Sequence, residues 1–131
     1  FPLDFSIKDF QFIATAGSPT TIASIKLGFS YFNYDKNIVN GTILDIKDLE
    51  DSLKLLKQKT IEELTEMVGK GRIEYLEIGT HIYRLFFNAL GKDNSIVFDD
   101  GLREGVAINY ALSKKWSSVK KGVLHFALEL H

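Results

Sequence analysis

Apolar and polar positions change their period several times along this chain. Phe10, Phe12, Ile13 and Ala14 form an apolar run that ends at Gly17-Ser18-Pro19-Thr20-Thr21. Ile22, Ile25 and Phe29 follow at spacings of three and four. This switch predicts a buried strand feeding a helix. Ser18 is the expected N-cap, with Pro19 at the first helical position, where its missing N–H is not needed. Residues 30–41, rich in Tyr and Asn, read as a connector ending in the turn signal Asn40-Gly41. Asp45 then opens a helix with Leu49, Leu53 and Leu56 inside and Glu50, Asp51, Lys54 and Lys57 outside. Thr60 and Glu63 match a capping box, and the helix they open runs through Leu64 and Val68 to Gly69. Gly69-Lys70-Gly71-Arg72 reads as a loop. A long helix from about Ile73 to Leu90 carries Leu76, Ile82, Tyr83, Phe86 and Leu90 at helical spacing and stops at Gly91. Ser95 to Phe98 is a short strand, Asp99-Asp100-Gly101 a turn, and about Leu102 to Leu112 a last helix. Leu124, Phe126, Leu128 and Leu130 alternate with other residues and predict a strand, although Leu124 and Leu128 also share a helix face.

Strands separated by helices predict an α/β fold with a small parallel sheet, right-handed crossovers and several covering helices. Two or three strands are few for so many helices, and a parallel sheet needs both faces covered. Neighbouring strands are therefore expected from elsewhere. The chain starts at Phe1 rather than Met, which predicts a piece of a longer protein. Open sheet edges also allow a homodimer by strand pairing, expected to follow concentration rather than function.

Composition narrows the function classes. Of 131 residues, 45% are apolar and 25% charged, and the net charge is −1. No global field favours a nucleic-acid polymer or a membrane surface. With no cysteine, the chain has no disulfide, no thiol nucleophile and no cysteine-ligated metal. No signal peptide and no membrane-length apolar run is visible, so a cytoplasmic setting is expected.

The candidate chemistry lies at helix starts. A strand ending at Gly17 and Ser18 aims backbone N–H groups and a positive dipole end at one spot, with Thr20 and Thr21 in the same turn. Arg72 follows a Gly-Lys-Gly run, where a guanidinium can fork onto phosphate oxygens, or pair with Glu74 or Glu77. Lys70 adds charge beside it. Arg103 and Glu104 open the last helix; Glu104 suits its dipole, and Arg103 either ties the helix to a neighbour or meets a ligand. Asp99 and Asp100 are the only vicinal aspartates. A magnesium site there is conceivable, but a turn at a helix start is the simpler reading. His81, His125 and His131 show no metal-ligand spacing, and His81 is expected at a helix surface. Lys114-Lys115 and Lys120-Lys121 read as solubilising pairs.

Three segments carry a resemblance. They are Ala16-Gly17-Ser18-Pro19-Thr20-Thr21-Ile22-Ala23-Ser24, then Gly71-Arg72-Ile73-Glu74 with Gly79, then Asp99-Asp100-Gly101-Leu102-Arg103-Glu104-Gly105. In this order and spacing the chain resembles the exopolyphosphatase/guanosine pentaphosphate phosphohydrolase (Ppx/GppA) family over about residues 10–113. Ser18 and Pro19 depart from the family's usual Gly-Thr-Ala-Thr-Thr. The resemblance implies an actin-like, ribonuclease H-like fold and a cleft between two such domains. It implies removal of terminal phosphate from inorganic polyphosphate or guanosine pentaphosphate, generally with magnesium. It also implies that residues 1–113 are the C-terminal part of the second domain, with 114–131 an unassigned tail. The family's first phosphate loop, catalytic glutamate and Asp-x-Gly-Gly-Gly-Ser loop are absent from this sequence, which has no Gly-Gly pair. The chain alone is then expected to be inactive, to bind no magnesium by itself, and to need the missing N-terminal actin-like domain as partner. Gly17, Ser18, Thr20, Thr21, Arg72 and Arg103 are the ligand-binding candidates. The alternatives are a stand-alone domain sensing guanosine tetraphosphate, or a piece of another actin-like ATPase or sugar kinase.

Overall fold

The computed structural model describes residues 10–113. Residues 10–99 build one compact unit, and Leu102–Ser113 belongs to a second. In the first unit the order is β1 (Ile13–Ala14), α1 (Gly17–Lys26), a short 3-10 turn (Tyr31–Asn33), α2 (Lys36–Val39), β2 (Thr42–Asp45), α3 (Ile46–Gln58), α4 (Ile61–Val68), α5 (Lys70–Leu90) and β3 (Asn94–Val97). The second unit holds α6 (Leu102–Ser113), where the Gly101 N–H donates to Glu104 at 2.8 Å and ties down the helix start.

The α/β class holds, and β1 pairs parallel with β3 as expected. The all-parallel sheet does not hold. The strand order is β1-β3-β2, and β2 runs antiparallel to β3 with Thr42 opposite Val97 and Asp45 opposite Asn94. β2 escapes a pattern reading because it is four residues long and buries only Leu44. The connector before it is also more ordered than its composition suggests, since the 3-10 turn and α2 lie within it.

One face of the sheet meets the helices. Leu44, Ser95 and Val97 are fully buried there with Ile22, Ala23, Leu49, Leu76 and Phe87. Phe12, Tyr83 and Phe87 form an aromatic trio with centroids 5.1 to 5.8 Å apart, joining β1 to α5. The buried Tyr83 hydroxyl is hydrogen-bonded to Ser95, so α5 is fastened to β3 by a satisfied polar pair. On the opposite face Ile13, Ile96 and Ile43 lie side by side in register.

Helix caps form where the sequence places them. The Asp45 carboxylate accepts from the Asp48 N–H, and Asp48 returns the bond to Asp45. Thr60 and Glu63 do the same at α4. Lys26 binds α1 to this region, donating to the Ile43 carbonyl at 2.9 Å and to Asp48 at 2.8 Å.

Two local expectations are corrected. Ser18 does not cap α1: Ala16 is the N-cap in extended conformation, Ser18 is the second helical residue and Pro19 the third. Proline fits there because that N–H too has no intrahelical acceptor. The Gly69–Arg72 loop is a helix start. Gly69, at φ +84°, ends α4 and begins α5 at once, and Arg72 N–H already donates to Gly69 C=O at 3.0 Å. The Tyr31 ring lies where a Gly69 side chain would be, so both the turn and the packing exclude a Cβ.

Candidate functional site

The N-terminus of α1 and the first two turns of α5 enclose a cavity of about 230 Å³. Gly17, Ser18 and Thr21 line it from α1, and Gly71, Arg72 and Tyr75 from α5. The first intrahelical bond of α1 runs from the Thr20 N–H to the Ala16 C=O. The N–H groups of Gly17 and Ser18 therefore precede the ladder and lack an acceptor within the helix. With the helix dipole they form a positive end, to which Arg72 adds a full charge.

Arg72 crosses from α5 to α1. Its Nη1 donates to Thr21 Oγ1 at 3.1 Å, so its contact runs across the cavity rather than along α5 to Glu74 or Glu77. The Thr21 hydroxyl in turn donates to the Gly17 C=O at 2.7 Å. Thr21 therefore orients the guanidinium, with its own proton committed to the helix.

The close approach of α1 and α5 rests on Gly79. A side chain there would place its Cβ 2.0 Å from Ser18 Oγ. The glycine lets the N-terminal turn of α1 sit directly on α5, one further condition for Arg72 to reach Thr21.

Thr20 faces away from this cavity. It is buried, and its hydroxyl donates to the carbonyls of Ala16 and Gly17 at 3.0 and 3.1 Å. On that side lies Tyr34, whose hydroxyl donates to Asp99 Oδ2 at 2.9 Å. Burial first, then the hydrogen bond and charge of Asp99, hold the Tyr34 phenol protonated far above its usual range. The nearby Arg72 charge and a hydrogen bond with Thr20 pull weakly the other way. The Asp99 N–H donates to Asn40 Oδ1 at 2.6 Å, anchoring the end of β3.

The structure thus gathers Gly17, Ser18, Thr21 and Arg72 at one place and sets Thr20 just behind them. Lys70 begins α5 outside the cavity lining. Arg103 lies in the second unit, largely exposed, 3.9 Å from Glu104. Tyr34 and Tyr75 are the residues that pattern reading missed. Tyr34 lay in an irregular connector, and Tyr75 follows Arg72 by one helical step of three, a relation visible only once α5 starts at Lys70.

Magnesium does not fit the described residues as a site of their own. No three His, Asp or Glu side chains come together among them, and Asp99 is engaged by Tyr34 and the turn. No helix among the described residues is long and apolar enough to cross a membrane.

No protein-family model and no curated protein matches the sequence. Solved structures do match. The crystal structure of the Aquifex aeolicus member of the Ppx/GppA protein family has a TM-score of 0.71 and 26% identity, covering 81% of this chain and 35% of its own. The type II variant of the Aquifex aeolicus Ppx/GppA phosphatase gives 0.67 and 26%, covering 76% of this chain and 34% of its own. A further structure, of the Aquifex aeolicus PPX-GPPA enzyme, gives the same values. This chain spans about a third of the length of those proteins. The fold is the actin-like α/β fold of these neighbours. About four-fifths of the chain superposes on these Ppx/GppA structures at 26% identity, and the Gly17–Thr21 and Gly71–Arg72 segments lie around one cavity, so the chain is similar to the Ppx/GppA family in fold and in part of its sequence.

Proposed function

We propose that this chain forms one wall of a phosphate-binding cleft in a phosphohydrolase. The whole protein would remove terminal phosphate from inorganic polyphosphate or guanosine pentaphosphate, with this chain as the C-terminal part of its second actin-like domain. The observation that carries the reading is the cavity in which Arg72, held by Thr21, stands beside the start of α1. Phosphoryl transfer is catalysed mainly by fixed positive groups around the phosphate oxygens. Gly17 and Ser18 N–H groups and the Arg72 guanidinium are suited to that work, and Thr21 keeps the guanidinium from reorganising when an anion arrives.

In this reading the first phosphate loop and the catalytic glutamate lie in the other actin-like domain of the whole protein, and the Asp-x-Gly-Gly-Gly-Ser loop opens the second one. Magnesium and the carboxylate that orients water belong to those segments, and no step is placed on Asp99 or Asp100. Arg103 is a weaker candidate for ligand contact, because it rests on its motif alone. A cytoplasmic setting and a role in the stringent response would suit these substrates.

Calorimetric titration with guanosine tetraphosphate tests the site. Charge-assisted hydrogen bonds are worth roughly 1.5–3 kcal/mol, so Arg72→Ala is expected to weaken binding by about 10-fold or more. Thr21→Val should weaken it less, by freeing the guanidinium. Binding that is unchanged in Arg72→Ala removes Arg72 from the site and the cleft reading with it.

A further inference from the structure

The ring of Tyr75 stands bare on α5. It is 67% exposed. Among the described residues no ring or cation stacks on it, and no group hydrogen-bonds its hydroxyl. The helix explains why. A helical side chain meets those three and four residues away. The neighbours of Tyr75 at four are Gly71 and Gly79, which have no side chains to offer. At Gly79 that place is taken by Ser18. At Gly71 it is open, since a Cβ there would meet nothing within 4 Å. The neighbour three residues before Tyr75 is Arg72, whose guanidinium is committed to Thr21.

Position adds to this. A helical side chain leans toward the N-terminus of its helix and covers the turn before its own Cα. Tyr75 therefore leans over the first turn of α5, where Gly71 and Arg72 lie. All three line the cavity of about 230 Å³ beside the start of α1. Ile82 and Phe86, further along α5, border β1 instead, where the cleft reading places the remaining strands of the domain. The cavity thus joins two chemistries. The Gly17 and Ser18 N–H groups and Arg72 suit phosphate oxygens, and Tyr75 offers a flat aromatic face. Its volume equals about eight water volumes, and a phosphate group of four oxygens fills only part of it.

We infer that Tyr75 is the stacking platform for the base of a nucleotide whose phosphates meet Arg72, an inference that rests on the cleft reading. The site accordingly takes a nucleotide in preference to an inorganic phosphate chain. Every base has a π-face, so Tyr75 selects for the presence of a base without choosing which one. Polyphosphate has no base and gains nothing from the ring.

Calorimetric titration of the 131-residue chain with guanosine tetraphosphate and with inorganic tripolyphosphate tests this. The parent should bind guanosine tetraphosphate more tightly, and Tyr75→Ala should erase the difference. Stacking of one base on an aromatic side chain corresponds to a loss of roughly 5- to 100-fold for the nucleotide, with tripolyphosphate unchanged to within about 2-fold. Tyr75→Phe keeps the ring and should bind both ligands as the parent does. Arg72→Ala should weaken both. Nucleotide binding that survives Tyr75→Ala overturns the inference. So does an equal loss of both ligands, or a Tyr75→Phe variant as weak as Tyr75→Ala. In each of these cases a loss of both ligands in Arg72→Ala leaves the cleft reading standing. Affinities that Arg72→Ala does not change, or a chain that binds neither ligand at about 1 mM, remove the cleft reading and the inference together.

Discussion

Replacing Gly79 by alanine tests how the site is held together. The new Cβ would stand 2.0 Å from Ser18 Oγ and 3.0 Å from Ser18 Cβ. Non-bonded heavy atoms settle near roughly 3.5–4 Å, so the hydroxyl must rotate away or α1 must lift. Overpacking of this kind costs about 1–3 kcal/mol. Against it, alanine gains roughly 1 kcal/mol over glycine inside a helix. The net expectation is a loss of about 0–2 kcal/mol for Gly79→Ala alone. Removing the Ser18 hydroxyl first changes the outcome. In Ser18→Ala the severe contact is gone and only the 3.0 Å Cβ approach remains, which small shifts absorb. Gly79→Ala in that background should be neutral or stabilising by up to about 1 kcal/mol. A double-mutant cycle from urea unfolding, followed by far-UV circular dichroism, should therefore give a coupling of about 1–2 kcal/mol. Effects that add to within about 0.5 kcal/mol would refute the packing argument. So would a Gly79→Ala variant that is simply more stable.

Two further expectations follow from the caps and the half-buried Tyr34 phenol. The Asp45 carboxyl is held below its ordinary 3.8, first by the Asp48 N–H and then by the Lys26 charge, despite some desolvation. A lowered folded value means that its stabilisation is present above the ordinary value and lost as pH falls through the folded one. Asp45→Ala should cost about 1 kcal/mol at neutral pH, and its urea midpoint should converge on the parent's in acid. Tyr34 has the opposite sign: its raised folded value keeps its contribution intact below pH 10 and removes it as pH rises through the folded value. An ultraviolet titration should show a late tyrosinate component that Tyr34→Phe reduces, the remainder belonging to Tyr83, whose burial raises it too; a profile unchanged by that substitution would mean that Tyr34 is not a protected phenol.

The anion-site candidates were legible to different depths. Gly17, Ser18, Thr21 and Arg72 were all named from residue chemistry, because N–H, hydroxyl and guanidinium groups at helix starts can meet an anion, although glycine and hydroxyl residues there also serve as caps. Their separation of about fifty residues hid the contact itself, since Arg72 reaches Thr21 only when α5 crosses α1 at Gly79. Thr20 shows the limit of adjacency. One residue from Thr21, it is turned by the helical rotation of 100° per residue onto the Tyr34 side.

The sequence by itself determined the elements whose signals are local. The caps at Asp45 and Thr60, the stop at Gly69 and the long helix ending at Gly91 each depend on residues within one turn of each other. Local energies decide them, so a linear reading finds them. The tertiary structure alone decided the antiparallel placement of β2, the start of α5 at Lys70, and which apolar residues of α5 are inside. Ile82 is more apolar than Tyr83, and Phe86 is the same residue as Phe87, yet only Tyr83 and Phe87 are buried. The distinction depends on where β1, β3 and α1 stand around the helix. Hydrophobicity marks a residue as able to be buried; the packing of distant elements decides which face is used.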